Sequence, residues 1–240
     1  MKKILLFCFL SLLLYGCEKR ENKLIMVTEA SFAPFEYYSD GKVVGVDVDI
    51  ATEIANRLGR RLVVKDVAFD SIITEIKSGK SDIGVAGISY TEERAKQVSF
   101  SDSYTISKQV VIVRDNSNFS RVDEMNCNKI AVQLGSIADS YVSDKFSNST
   151  IVRQKKYLAA IEDLKDNKVD CVVMDELPAR EILKENSGLR ILNGSLAEDS
   201  YGIVVNKENI NLLRIINEVI RDLKKEGKID EYILYHSKNQ

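Results

Sequence analysis

Apolar residues fall along the chain in short bursts of two kinds. "KLIMVT" (23–28), "RLVVKDV" (61–67) and "DIGVA" (82–86) are brief continuous runs with the length and branched side chains of strands. Between them the spacing changes to threes and fours. Ile50, Ile54, Ala55 and Leu58 make one helical stripe, with Asp47 placed as its N-cap and Gly59 as its stop. A second stripe, Ile72, Ile73 and Ile76, opens at Phe69 and ends at Gly79. "KQVVIVR" (108–114), "KIAVQLG" (129–135) and "YGIVV" (201–205) continue the strands. Ile210, Leu213, Ile216, Ile220 and Leu223 then predict a long helix closed by Gly227, and "KIDEYILYHS" (228–237) predicts a shorter last one. Strands alternating with helices predict an α/β fold.

Part of this pattern occurs twice. "FDSIITEIKSGKSDIGVAG" (69–87) aligns without gaps on "YLAAIEDLKDNKVDCVVMD" (157–175). Each has an aromatic at the helix start, an apolar helix face, a turn, an aspartate and a buried strand. Two amphipathic helix–strand units can match by chance, but duplication predicts two similar α/β lobes. Each lobe would then offer the carboxyl ends of its strands to a shared cleft, where ligands of open α/β sheets bind.

The two units end differently. The first thins to Ala86 and Gly87, where a ligand can approach backbone, and passes into "SYTEER". There a helix start presents N–H groups, Ser89 adds donors, and Arg94 can supply the fork that matches a carboxylate. Spacing alone leaves open that Arg94 pairs with Glu92 or Glu93. The second unit ends at Asp175, which can hold an ammonium or cap the helix near Leu177-Pro178. A carboxylate binder facing an ammonium binder describes an α-amino acid.

Composition removes competing chemistries. The formal net charge of −2 gives nucleic acid no electrostatic footprint. One histidine, His236 near the end, argues against Ser-His-Asp or Cys-His catalysis and against histidine metal sites. No dinucleotide or phosphate-cradling glycine motif occurs. Binding, with no catalytic residue, metal or cofactor, is the expectation.

Lys2 and Lys3 precede an apolar run, Ile4 to Tyr15, too short to span a bilayer as a mature helix and suited to a signal peptide. Leu14-Tyr15-Gly16-Cys17 resembles the lipobox of bacterial lipoproteins, which implies cleavage before Cys17 and lipid upon it; an ordinary signal peptide cut elsewhere is the alternative. Loss of residues 1–16 would leave 32 basic against 36 acidic side chains, a net of −4. Cys127 and Cys171 would remain, and the expectation is that they stay unbridged, Cys171 buried in its strand and Cys127 in a surface turn.

Read in order, "SFAPFEYY", "GKVVGVDVDIATEIANRLG", "FDSIITEIKSGKSDIGVAGISYTEER", "VSFSDSYTIS", "KIAVQLGS", "VDCVVMDE" and "YGIVV" make the chain resemble the periplasmic amino-acid-binding proteins of ABC transporters. The resemblance spans nearly all of residues 24–236. It implies the type II binding-protein fold, two α/β lobes joined by two hinge strands near Ser103–Lys108 and Asp199–Ile203. The parts it implies are a signal peptide (1–16), a lipid-anchored tether (17–23), the first lobe (24–105), the second lobe (106–202) and a return to the first (203–240). Gly87, Ser89 and Arg94 match positions that hold the ligand α-carboxylate, and Asp175 the one that takes the α-ammonium. Phe32 and Phe69 match aromatics that sandwich the side chain. Gln133, Gly135, Ser136 and Ile137 match the closing loop, with Ile137 departing from the usual hydroxyl.

Glu29 stands where many relatives place an aspartate that reaches the far end of a lysine, arginine or glutamine. A carboxylate beside two aromatic faces suits a cation, so a basic amino acid is expected, arginine first and glutamine second. The implied partners are that amino acid, a membrane permease and, through the lipid, a bacterial membrane, with the protein acting as an exported monomer. A dehydratase acting on cyclised aromatic precursors and a sensor module are the other classes; against the sensor, no further domain is expected after the last helix.

Overall fold

The computed structural model describes residues 22–238; the signal-peptide and Cys17 expectations lie outside that range. Two main sheets account for most strands. In the first, the order across the sheet is Arg61–Asp66, Lys23–Thr28, Ile83–Gly84, Val204–Val205 and Ser99–Phe100. Lys23–Thr28 runs parallel to both of its neighbours, and Val204–Val205 runs antiparallel to both of its own. Ile83–Gly84, from the run "DIGVA", sits at the centre, where a strand is covered on both faces and must be apolar. Gly84 is required there, because a Cβ would lie 2.6 Å from Val204 Cγ2.

The second sheet is ordered Thr150–Gln154, Lys129–Gln133, Cys171–Asp175, Thr105–Arg114 and Leu189–Ile191, with Ala197–Tyr201 also paired on Thr105–Arg114. That last pairing is antiparallel, from Ala197 opposite Gln109 to Tyr201 opposite Thr105. These two strands carry the chain between the sheets. A small three-stranded sheet, Ser31–Phe32, Glu36–Ser39 and Lys42–Val44, completes the strands.

Helices form where the stripes predict them, with shifts at their ends. The first runs Val46–Arg57 and buries Val46, Ile50, Ala51, Ile54 and Ala55. Asp47 does not cap it: Gly45 is the cap residue, and Asp47 lies within the first turn, wholly buried. Phe69–Ser71 forms a 3-10 turn leading into Ile72–Lys77. The repeat's second helix is Tyr157–Lys165. "YGIVV" divides, its Tyr201 ending one strand and Val204–Val205 forming another in the other sheet. Ile210–Lys225 buries Ile216, Val219, Ile220 and Leu223 and packs on Val46–Arg57 and on Lys228–Lys238. His236 is buried rather than free in a tail. Its Nε2 meets Asp49 Oδ2 at 2.8 Å and its Nδ1 meets the Tyr37 hydroxyl at 3.0 Å, tying the last helix to the first lobe.

The two remaining cysteines correct the expectation. Cys127 and Cys171 are joined by a disulfide, with Cα atoms 6.4 Å apart. Cys171 is in register with Ile130 on the neighbouring parallel strand, so the turn before that strand delivers Cys127 to it. Both sit in the apolar core of the second sheet with Val111, Val132 and Val173. No helix among the described residues is long and apolar enough to cross a membrane.

Candidate functional site

The two sheets present their strand ends to one cleft. Glu29, Phe32, Phe69, Gly87, Ser89, Gln133, Ser136, Ile137 and Asp175 line a single cavity there, joined by Glu36, Ala86 and Tyr157. Nine of the ten residues expected at the site therefore come together. Arg94 stands beside them, bordering an adjoining cavity with Phe69 and Gly135. Free space in the main cavity is only about 10 Å³, room for roughly one water molecule. An amino acid enters only if the walls part.

Asp175 ends its strand just before the helix Glu176–Glu185 and makes no capping bond. It is 4% exposed. Ser107 Oγ (2.6 Å), Gln109 Nε2 (2.8 Å) and the Tyr201 hydroxyl all donate to its Oδ1, and Oδ2 takes none of these bonds. The donors come from both strands that connect the sheets. Burial pushes the Asp175 carboxyl up to about 7, the Asp199 carboxylate pushes the same way, and the three donors pull it back. Gln109 also donates to Asp199 Oδ2 (2.9 Å), and Ser89 Oγ donates to Asp199 Oδ1 (2.7 Å). A cation beside Asp175 would relieve this concentration of negative charge.

The turn after the central strand of the first sheet is built around Gly87. Its φ of +52° falls in the left-handed region, and a Cβ would lie 2.9 Å from Phe32 Cε1. Its N–H is taken by Asp47 Oδ2 at 2.9 Å, so the buried aspartate holds the turn from behind. Glu36 is also buried beside it. Burial, with the Asp47 charge adding, holds Glu36 well above the usual carboxylate range. Burial pushes Asp47 up to about 6, while Glu36 and the Gly87 N–H hold it down. Glu36 Oε2 and Asp47 Oδ1 are buried there without a hydrogen-bond partner, and this shared burial is what favours the protonated form of Glu36.

The helix after Gly87 is a single turn, Glu92–Ala95, capped by Thr91. Arg94 turns back from it and does not pair with Glu92 or Glu93. Its Nη1 donates to the Ser89 carbonyl (2.6 Å) and its Nη2 to the Gly135 carbonyl (2.9 Å), while its guanidinium lies over the Phe69 ring, 5.5 Å from the centroid. One arginine thus touches both walls. Burial lowers its pKa from the usual arginine value, and Asp199 and Asp175 oppose that.

At the far end, Glu29 is 2% exposed. Ser31 Oγ donates to both of its oxygens and Gln133 Nε2 to Oε2 (3.2 Å), and Lys156 Nζ stands 3.2 Å from Oε1. Phe32 stacks on Tyr157 with centroids 5.8 Å apart. Ser136 caps the helix Ile137–Lys145, accepting from the Asp139 N–H at 3.1 Å.

Sequence reasoning passed over Tyr157, although the repeat pairs it with Phe69 at the same helix-start position. It also passed over Glu36, Asp47 as a support, Asp199 and Lys156. The polar residues Ser107 and Gln109, in step with Val111 and Val113 on alternate positions of their strand, were the available signal for the support of Asp175.

Two unequal α/β halves with convergent polar groups in the cleft between them define a solute-binding protein of the periplasmic type II fold. The chain belongs to the family of bacterial extracellular solute-binding proteins, family 3, whose model matches residues 24–236. The arginine-binding extracellular protein ArtP of Bacillus subtilis is 27% identical over 221 residues, 90% of this chain and 86% of that protein. The substrate-binding protein AbpA of Streptococcus pneumoniae, solved with L-arginine, is 32% identical with a TM-score of 0.86, over 91% of this chain and 95% of that one. An ancestral arginine-binding protein solved with glutamine is 36% identical with a TM-score of 0.82, over 88% of this chain and 96% of that one.

Proposed function

We propose that this protein captures a polar L-amino acid, arginine first, between its two lobes and presents the closed form to an ABC permease. The carrying observation is the cleft's charge. Glu29, Glu36, Asp47 and Asp175 are buried around it, and Asp199 is partly buried. A zwitterion with a second cation is the amino acid that suits such an interior best.

In this reading Asp175 takes the α-ammonium. Ser89, Arg94 and the backbone at Gly87 hold the α-carboxylate, with Arg94 exchanging a carbonyl for the ligand. Phe32, Phe69 and Tyr157 flank the side chain, Gln133, Ser136 and Ile137 close over it, and Glu29 meets its far end. The lobes are residues 24–105 with 203–240, and 106–202. They part about Thr105–Arg114 and Ala197–Tyr201, and contacts made only in the closed form drive closure. Asp175 is anchored to both of these strands, which supports a link between ammonium binding and hinge geometry. Signal cleavage and lipid on Cys17 would hold the carrier at the outer face of a bacterial membrane. The role involves no catalysis, metal or cofactor.

Glutamine is the second reading, favoured by the Lys156 ion pair, which already answers the charge of Glu29. A thermal-shift screen of the twenty amino acids and ornithine tests both. The expected result is a rise in melting temperature with arginine, because a ligand bound only to the native state stabilises it by mass action. A screen in which no amino acid moves the transition would reject the proposal.

A further inference from the structure

Glu29, the carboxylate expected to meet the far end of the ligand, already has a cation, and that cation comes from the opposite wall. Lys156 Nζ lies 3.2 Å from Glu29 Oε1, with the Glu29 side chain 3% exposed and that of Lys156 50% exposed. One end of the pair is sealed in the cleft while the other reaches water. Lys156 is not there by a chance swing of a long side chain. It is the extended residue immediately before the helix Tyr157–Lys165, and both of its neighbours serve the same end of the cleft. The Lys155 carbonyl accepts from Gln133 Nε2 at 3.1 Å, and the Tyr157 ring stacks on Phe32. Gln133 in turn donates to Glu29 Oε2. Residues 155–157 thus approach the first lobe as one unit.

A buried carboxylate without a countercharge is costly. Some cation must therefore accompany Glu29 when the cleft closes. A ligand with a cationic end can supply it only by displacing Nζ, which retreats to solvent. A ligand with a neutral, hydrogen-bonding end supplies none, and can be enclosed only because Lys156 does.

We propose that Lys156 is a specificity-determining residue that occupies Glu29 in competition with cationic ligands and so admits neutral ones. This rests on the amino-acid-binding reading above. Removing the ammonium should then act with opposite sign on two ligands of nearly the same shape, L-arginine and its neutral isostere L-citrulline.

The test is calorimetric titration of wild type, Lys156→Met and Lys156→Gln with each ligand. Half-exposed Lys156 tolerates both changes without loss of fold, which circular dichroism checks, and agreement between the two variants separates lost charge from altered packing. Arginine should tighten about tenfold or more in both variants, the effect of releasing one close charge pair, while citrulline weakens in both. Arginine affinity that is unchanged or weaker in both variants overturns the proposal and leaves amino-acid binding standing. Tightening of citrulline as much as arginine overturns it equally, since the effect would then not be one of charge. If no amino acid binds any of the three proteins, both readings fall.

Discussion

Asp175→Asn should make this protein more stable and unable to hold its ligand. The carboxyl moves from an ordinary value of 3.8 to about 7 because burial penalises its charge, with Asp199 adding. At about 1.4 kcal/mol for each tenfold change in proton affinity, that is a ceiling of about 4 kcal/mol. The three donors from Ser107, Gln109 and Tyr201 all fall on one oxygen, and an amide oxygen keeps them. Burial of the new amide N–H groups takes back part of the gain, about half of the ceiling by the cost of an imperfectly satisfied donor. A chain of this size gains about 2–4 °C for each kcal/mol, so the ligand-free variant should melt about 4–8 °C higher at pH 8.

The pH dependence identifies the cause. Between 3.8 and about 7 the native wild type keeps a proton that the unfolded chain has lost, so its stability falls as pH rises through that window. The asparagine variant lacks this term. Its advantage should be small at pH 4, grow to pH 7 and stay level above. Differential scanning calorimetry across pH 4–8 reads this directly, and titration with arginine should show at least about a hundredfold loss of affinity from the missing charge pair. A variant that melts below wild type at pH 8, or one that binds arginine as tightly as wild type, would refute the reasoning.

Gly87→Ala places a Cβ 2.9 Å from Phe32 at a φ of +52° and should cost about 1–3 kcal/mol in urea melts while weakening binding. Arg94→Lys keeps the charge but cannot span the Ser89 and Gly135 carbonyls, so calorimetry should show affinity lower by about tenfold or more. Reduction, or serine at both Cys127 and Cys171, opens a 44-residue link and should lower stability by about 2–4 kcal/mol in denaturant melts with and without reductant. Cys17→Ala should move the protein from the membrane fraction to the soluble fraction, read by fractionation and blotting.

Much of the site was legible because its determinants are local. A strand that ends in Ala86-Gly87, an arginine one turn on, and an aspartate at the matching place in a repeat are visible as residue types at fixed offsets. Of the four residues so chosen, Gly87, Ser89 and Asp175 face one cavity and Arg94 borders the next; the six others in the first cavity, Glu29, Phe32, Phe69, Gln133, Ser136 and Ile137, came from the family resemblance and not from local spacing. Local reading erred where one backbone position served two roles. Asp47 has the look of an N-cap, yet its bond goes to Gly87, forty residues away. His236 reads as tail, yet it is clasped by Asp49 and Tyr37 of the first lobe. Cys127 and Cys171 are distant in sequence and adjacent only because the strand that follows Cys127 pairs in parallel with the strand that holds Cys171.

The alternation of strand and helix, the twofold occurrence of one helix–strand pattern and the inventory of polar groups at strand ends are written in the chain itself. Each depends on periods of two to four residues or on direct comparison of segments. Which charges answer one another depends on how the sheets pack. Asp175 acquires its raised affinity for protons from burial beside Asp199. Glu29 meets Lys156 because two segments more than a hundred residues apart close on the same space. Such pairings depend on distance and desolvation, and a linear chain specifies neither until its sheets have packed.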